Sequence, residues 1–331
     1  MQPAQGFHRA KDVLTTRTKT ANSTYVGYLI STFSDNNPAV QWHLSRGNDP
    51  GTYSMLNGGK PVLKSTVGTR AVRDVFLATN SARSEWFMIC TGLLDLDVRV
   101  PGFSWDRATR TGSRGMVVWK SNNLVDWDGP TLPLVEEDVG GMLWAPSAVW
   151  DDVTSQYYVF WSTQLYSVSD PAHKGAATPK RIRYAATRDF VTFSTPKDYM
   201  APAKSNVIDQ EFVSLGKPSH FARFYKDESA GSRVVIETST DGLFGTWRAI
   251  GHVRTEGRRE GPAAFPDNTT PGKYYLLLDD YTQYLPFQTS TIDSVPWSSP
   301  NWPDFPRGLK HGSVTPLAQG EYDAVAARYP V

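Results

Sequence analysis

The run YVGYLISTF, Tyr25 to Phe33, recurs in kind four more times: EWFMICTG (Glu85 to Gly92), YYVFWST (Tyr157 to Thr163), HFARFYKD (His220 to Asp227) and YYLLLDDY (Tyr274 to Tyr281). Aromatic and β-branched side chains at this density suit a pleated strand covered on its faces. Four of the runs lead into a second strand-like stretch that ends in a Ser/Thr turn and an aromatic: VVWKSNNLVDW to Trp127, IRYAATRDFVTF to Phe193, VVIETSTDGLFGTW to Trp247 and FQTSTIDSVPW to Trp297. Five shorter openers accompany them: Val72 to Leu77 (VRDVFL), Leu143 to Trp150 (LWAPSAVW), Val207 to Val213 (VIDQEFV), Glu260 to Phe265 (EGPAAF) and Lys310 to Leu317 (KHGSVTPL). A unit of several strands and no helix, repeated every ~50–70 residues, is the mark of a propeller blade.

The N-terminal segment has an aromatic run but no opener of its own, and KHGSVTPL is an opener with no aromatic run after it. The two complete one blade. The expected fold is therefore all-β, a five-bladed β-propeller closed by pairing of the N- and C-terminal segments, with residues 1–331 as a single domain. Closure of this kind removes exposed strand edges. Two insertions, Leu93 to Gly115 and Tyr166 to Arg181, read as loops on the rim. Glu321 to Pro330 is the best helix candidate.

Composition narrows the function. The chain of 331 residues carries a net charge of +1 and no basic run, so nothing electrostatic points to nucleic acid or an acidic membrane. No apolar segment approaches the ~20 residues that span a bilayer. The aromatic content, 11 Trp, 15 Tyr and 15 Phe, fills a large core and leaves rings that could stack on sugars. The one cysteine, Cys90, sits in an apolar run and reads as a buried structural thiol. The start of the chain has no signal-peptide pattern, which fits either a mature secreted chain or a cytoplasmic one. Two Asn-x-Ser/Thr sequons, at Asn22 and Asn268, lean weakly towards secretion.

Three openers carry an acid: Asp74, Asp209 and Glu260. Acids rarely occupy buried strands unless paired or functional. Blades converge on an axis, so carboxylates from three repeats meet there. Such a group can hydrolyse a glycosidic bond: one carboxylate takes a proton from water, a carboxylic acid protonates the leaving oxygen, and a third acid nearby tunes the second. Glu211, two residues after Asp209, should share its strand face and could bind a sugar hydroxyl. Arg73 should point away from Asp74 in a regular strand and form a structural pair; it stands with Trp144, Glu211 and His311 among the candidate substrate-binding residues. Trp144 could stack on a sugar ring. Asp279 and Asp280 read as turn residues away from the axis. No metal-ligand spacing, phosphate cradle or G-x-S-x-G elbow is present.

The strings RDVF, WAPSAVWD, VIDQEFV, EGPAAF and KHGSVTPL, in this order, resemble the five opening motifs of glycoside hydrolase family 43. The resemblance covers essentially the whole chain. It implies a five-bladed propeller acting with inversion, and members that are mostly α-L-arabinofuranosidases, arabinanases, β-xylosidases and exo-galactanases. It assigns Asp74 as general base, Asp209 as the acid's modulator and orienter, and Glu260 as general acid. It likens His311 to an axial histidine that bears on an ion or ordered water. Val75 stands where the family usually has Pro, and Ser147 where it usually has an acid.

The resemblance implies an α-L-arabinofuranosidase acting on plant cell-wall oligo- or polysaccharide, with base and acid carboxyls ~6.5–9.5 Å apart. The alternatives are a β-xylosidase or exo-galactanase of the same family, a retaining relative, or a carbohydrate-binding propeller without turnover. No cofactor is expected; a hard ion such as calcium near His311 is compatible with the sequence.

Overall fold

The computed structural model describes residues 25–92 and 103–331. Among these, the strands form five antiparallel sheets. Blade 1 runs Val72–Thr79, Trp86–Gly92, Met116–Ser121, Asp128–Thr131. Blade 2 runs Trp144–Asp151, Gln156–Thr163, Arg181–Thr187, Lys197–Met200, and blade 3 runs Val207–Ser214, Phe221–Asp227, Arg233–Ser239, Arg248–His252. Blade 4 has three strands, Glu260–Pro266, Tyr274–Asp279 and Tyr284–Thr289, its outer edge touched only by a bridge from Gln288 to Ser298. Blade 5 is assembled from both ends of the chain: Ser313–Ala318 pairs with Tyr25–Ser34, which continues into Asn37–Ser45 and Tyr53–Met55. Thr315 faces Leu29 and Val314 faces Ile30 across this seam. The first strand of each blade neighbours the first strand of the next, and Ser313–Ala318 returns to Val72–Thr79. The ring is closed as the sequence implies.

The core is divided among the gaps between blades. Phe33, Trp42, Trp86 and Met88 fill the gap between blades 5 and 1. Phe87, Ile89, Tyr157 and Trp161 fill the next, then Phe160 with Tyr225. Phe224 with Leu276, and Tyr28 with Phe265, fill the last two. Each sheet is thus apolar on both faces, which is why Trp86–Gly92 is buried throughout instead of alternating. Aromatic edges lock neighbours: Phe87 meets Tyr157 at 5.5 Å, and Tyr28 meets Phe265 at 5.2 Å. Cys90 lies fully buried in the first gap, where burial pushes its thiol well above the ordinary range.

First strands of different blades do not hydrogen-bond as a sheet, so their backbone N–H groups need other acceptors. Side chains of adjacent blades supply them. Leu77 N donates to Ser313 Oγ (3.0 Å), Ala145 N to Thr91 Oγ1 (2.8 Å), Asp209 N to Ser162 Oγ (2.9 Å) and Ala264 N to Glu211 Oε2 (2.8 Å).

The first insertion is not all loop. Helix α1, Trp105–Arg110, starts at Ser104, whose side chain accepts from Arg107 N, and carries an Asp106–Arg110 pair at 2.8 Å. One turn and a half of helix is too short for a 3.6-residue pattern to register. The Asp-Leu-Asp stretch at 95–97 lies outside the described residues. The second insertion is a loop, and it packs on α1: Arg110 Nη1 donates to the carbonyls of His173 and Gly175, both at 2.9 Å. The terminal helix α2 spans Gln319–Arg328, starting two residues before Glu321, because the Glu321 carboxylate accepts from Ala318 N at 2.9 Å and fixes the first turn there. The Asn22 sequon lies outside the described residues. At the second, Asn268 Nδ2, the atom a glycan would occupy, donates to Gly27 O (3.2 Å) and Asn48 Oδ1 (2.7 Å).

Candidate active site

Four openers share one backbone device. Asp74, Ala145, Asp209 and Gly261 all have positive φ, between 46° and 56°. At each of them the ladder to the second strand slips: between Arg73 and Phe76, Trp144 and Ser147, Ile208 and Glu211, Glu260 and Ala263. A left-handed residue inside a strand breaks the two-residue alternation, so consecutive side chains turn to the same side. At Gly261 nothing larger fits, since an added Cβ would lie 2.6 Å from His311 Cγ.

The result is a cavity of about 480 Å³ lined by Arg73, Asp74, Trp144, Ile208, Asp209, Glu260, Lys310 and His311 from the openers. Asp35, Trp105, Thr109, Lys180, Lys226, Glu228, Arg258 and Tyr281 complete its wall. The three acids named from the sequence therefore face one hollow. Glu260 precedes the left-handed residue of its opener, whereas Asp74 and Asp209 are that residue. The trio therefore does not occupy equivalent repeat positions.

Asp74 Oδ2 accepts from Thr91 Oγ1 at 2.7 Å, and its Oδ1 lies 3.4 Å from His311 Nδ1. Burial pushes this carboxyl up, but the His311 hydrogen bond and charge, with Arg73 and Thr91, outweigh it and hold Asp74 below its usual value. His311 moves the other way: burial lowers it, and Asp74 above all, then Asp209 and Glu260, raise it to about 9. At neutral pH the two form an ion pair. Asp209 is raised to about 6 by burial, against His311 and Lys226, with the charges of Glu260 and Asp74 adding to the rise. Its Oδ2 accepts from Gly261 N at 3.3 Å, which ties it to the Glu260 opener. Glu260 Oε2 accepts from Lys226 Nζ at 2.7 Å. Burial works against the Lys226 charge, but Asp209 and Glu260 outweigh it and push Lys226 above its ordinary value.

A family model described as a probable glycosyl hydrolase domain related to family 43 matches residues 23–323. The chain belongs to this glycosyl hydrolase family. It is also 28% identical, over 93% of its length, to an alpha-L-arabinofuranosidase of Bifidobacterium longum, and it spans 32% of that relative. Among solved structures it is similar to a thermostable family-43 glycoside hydrolase (TM-score 0.47, 17% identity, covering 72% of this chain and 75% of that one). An alpha-L-arabinofuranosidase from Podospora anserina in complex with cellotriose is similar at TM-score 0.46 and 11% identity, covering 72% of this chain and 71% of that one.

Within this glycosyl hydrolase, Trp144 and His311 stand on the cavity wall. Trp144 is mostly buried and meets Trp105 in a T-shaped contact, ring centroids 6.0 Å apart, while Trp105, 57% exposed on α1, forms the rim. Arg73 corrects the alternation argument: it lines the cavity beside Asp74, paired with Asp35 at 3.1 Å. Glu211 corrects it in the other direction. The slip after Ile208 turns Glu211 away from the sugar cavity and into a smaller one beneath, lined also by Ser147, Gln210 and Gly312. Ser147, too, faces that lower cavity and bonds Gln210 O at 2.7 Å. Asp280 makes turn bonds to Thr282 N and Gln283 N, as its reading required. Asp279 does not line the cavity, but it is buried and accepts from Lys310 Nζ, on the cavity wall, at 2.9 Å.

Members of the family generally act without a cofactor. Among the described residues no three His, Cys, Asp or Glu side chains are grouped to hold a metal ion. His311 Nδ1 already faces Asp74, and burial raises Glu211 to about 8, with the Ala264 N–H and the His311 charge opposing it, so Glu211 is a neutral acid there.

Glu211 makes a stability prediction. Its folded value lies above its ordinary 4.5, so its contribution is full below about 4.5 and is lost as pH rises through about 8. Glu211→Gln keeps an acceptor for Ala264 N and cannot ionise. Thermal unfolding should find the variant close to wild type at pH 5 and more stable by a few degrees at pH 9; no change in the gap with pH would refute it.

The sequence reading missed Lys226, Lys310, Glu228 and Asp35. Lys226 left a signal in HFARFYKD, a cation within an apolar strand, where burial demands a partner.

Proposed function

We propose that the domain releases α-L-arabinofuranose from oligo- or polysaccharide by single-step inversion. Asp74 is the general base, Glu260 the general acid, and Asp209 the carboxyl that orients and tunes the acid. One observation carries the reading: three carboxyls from three blades line a single cavity, and one of them is held ionised by His311.

Water held by Asp74 loses a proton to it while its oxygen attacks the anomeric carbon. The bond to the leaving oxygen breaks on the opposite face, and that oxygen takes the proton of Glu260. The arabinofuranose assignment is supported by the Bifidobacterium longum relative. A plant cell-wall substrate follows the family resemblance, and a secreted location follows from a polymer substrate met outside the cell.

The test is a panel of 4-nitrophenyl α-L-arabinofuranoside, β-D-xylopyranoside and β-D-galactopyranoside with product anomers read by proton NMR. Turnover of the first with β-arabinose formed first is expected. Retained configuration, or preference for either other sugar, would overturn the corresponding part of the reading.

A further inference from the structure

The second strand of a blade ends in a polar side chain that reaches the opener of the next. In blades 1 and 2 it is a hydroxyl: Thr91 reaches Ala145 N and Ser162 reaches Asp209 N. In the ladder Thr91 stands beside Arg73, Ser162 beside Trp144 and Lys226 beside Ile208, so Lys226 is their counterpart in blade 3. A hydroxyl suffices as a clamp, yet blade 3 places an ammonium there and aims it at Glu260. The same ammonium lies 3.6 Å from Glu228 Oε1, and Glu228 Oε2 accepts from Lys180 Nζ at 2.8 Å. The Tyr281 ring lies 5.2 Å from Lys226 Nζ and 4.5 Å from the Arg258 guanidinium, walling off this side of the cavity.

We propose that Lys226 is a positioning residue for Glu260, its ammonium divided between Glu260 and Glu228, and that this division sets the alkaline limit of proton donation. The inference rests on the reading of Glu260 as the acid. An ammonium in contact favours a carboxylate, whereas the acid must carry a proton. Glu228 gives the ammonium a second seat when the leaving oxygen takes its place at Glu260. The other charged groups around Glu260 are Asp209 from blade 3, Asp279 across its own ladder with Lys310 bound to it, Arg258 two residues before it, and Asp74 with His311 across the cavity. Lys226 is the cation in contact with Glu260 and lies within 4 Å of Glu228 as well.

The test compares pH profiles of kcat/KM for wild type, Lys226→Met, Glu228→Gln and Glu260→Gln on 4-nitrophenyl α-L-arabinofuranoside and an α-linked arabinobiose. Lys226→Met should move the alkaline limb for the disaccharide to higher pH, on the order of one unit. Glu228→Gln leaves the ammonium to Glu260 and should move it to lower pH. The aryl substrate, whose leaving group departs without a proton, should respond less. Lys226→Met strands two carboxylates and can fail to fold; Glu228→Gln then decides by itself. Limbs that stay in place, or move in the same direction, overturn the inference while Glu260→Gln remains inactive on the disaccharide. Full disaccharide activity in Glu260→Gln sinks the acid assignment instead.

Discussion

Asp74→Asn should lower turnover of every glycoside the enzyme accepts by about 10²–10⁴-fold, with little change in KM. The amide is nearly the shape of the carboxylate and keeps the Thr91 hydroxyl as a partner, so the cavity survives. It cannot accept a proton from water. His311 also loses the negative charge at 3.4 Å that first counters its burial. The loss should not depend on the leaving group, because water must be activated whichever oxygen departs. In Asp74→Ala, which leaves room, azide should restore part of the turnover of 4-nitrophenyl substrates, since it attacks without giving up a proton. Full activity of Asp74→Asn on both aryl and natural substrates would remove Asp74 from the chemistry.

Glu260→Gln should show the opposite dependence. On oligosaccharides, whose leaving oxygen departs as an alcohol, the loss should again be about 10²–10⁴-fold. On aryl glycosides with acidic phenols it should shrink to a small factor. The amide cannot donate the proton, and Lys226 keeps Glu228 as its partner at 3.6 Å. A loss of equal size on both substrate types would make Glu260 a group that acts before the bond to the leaving oxygen breaks, and not its acid.

Much of this was legible in the sequence because blades repeat. Aromatic runs marked the second strands, and the unmatched ends Tyr25 to Phe33 and Lys310 to Leu317 disclosed the closing seam. The two Asp residues and the Glu stood out as acids in strand-like openers that should face the axis. What failed was the inference from alternation. Glu211 was placed with Asp209, and Arg73 opposite Asp74, on the premise of a regular strand; the left-handed turns at Asp74 and Asp209 reverse both. Gly261 gave a usable hint, as a residue suited to positive φ, but the non-glycine residues at equivalent places hid the pattern. Lys310 and Asp35, and the partner that the buried cation Lys226 calls for, were illegible because each pair meets across a blade gap, between segments distant in sequence.

The seam in blade 5 has a consequence for synthesis. Proteins emerge from the ribosome N-terminus first. Tyr25–Ser34 is made first and waits for Ser313–Ala318, which is made only after every strand of blades 1 to 4. His311, the counter-ion of Asp74, lies two residues before that late strand. When blade 4 has been translated the nascent polypeptide has its three acids but neither a sealed circle nor His311 to hold Asp74. Hydrolytic competence and ring completion therefore arrive together, within the same few added residues.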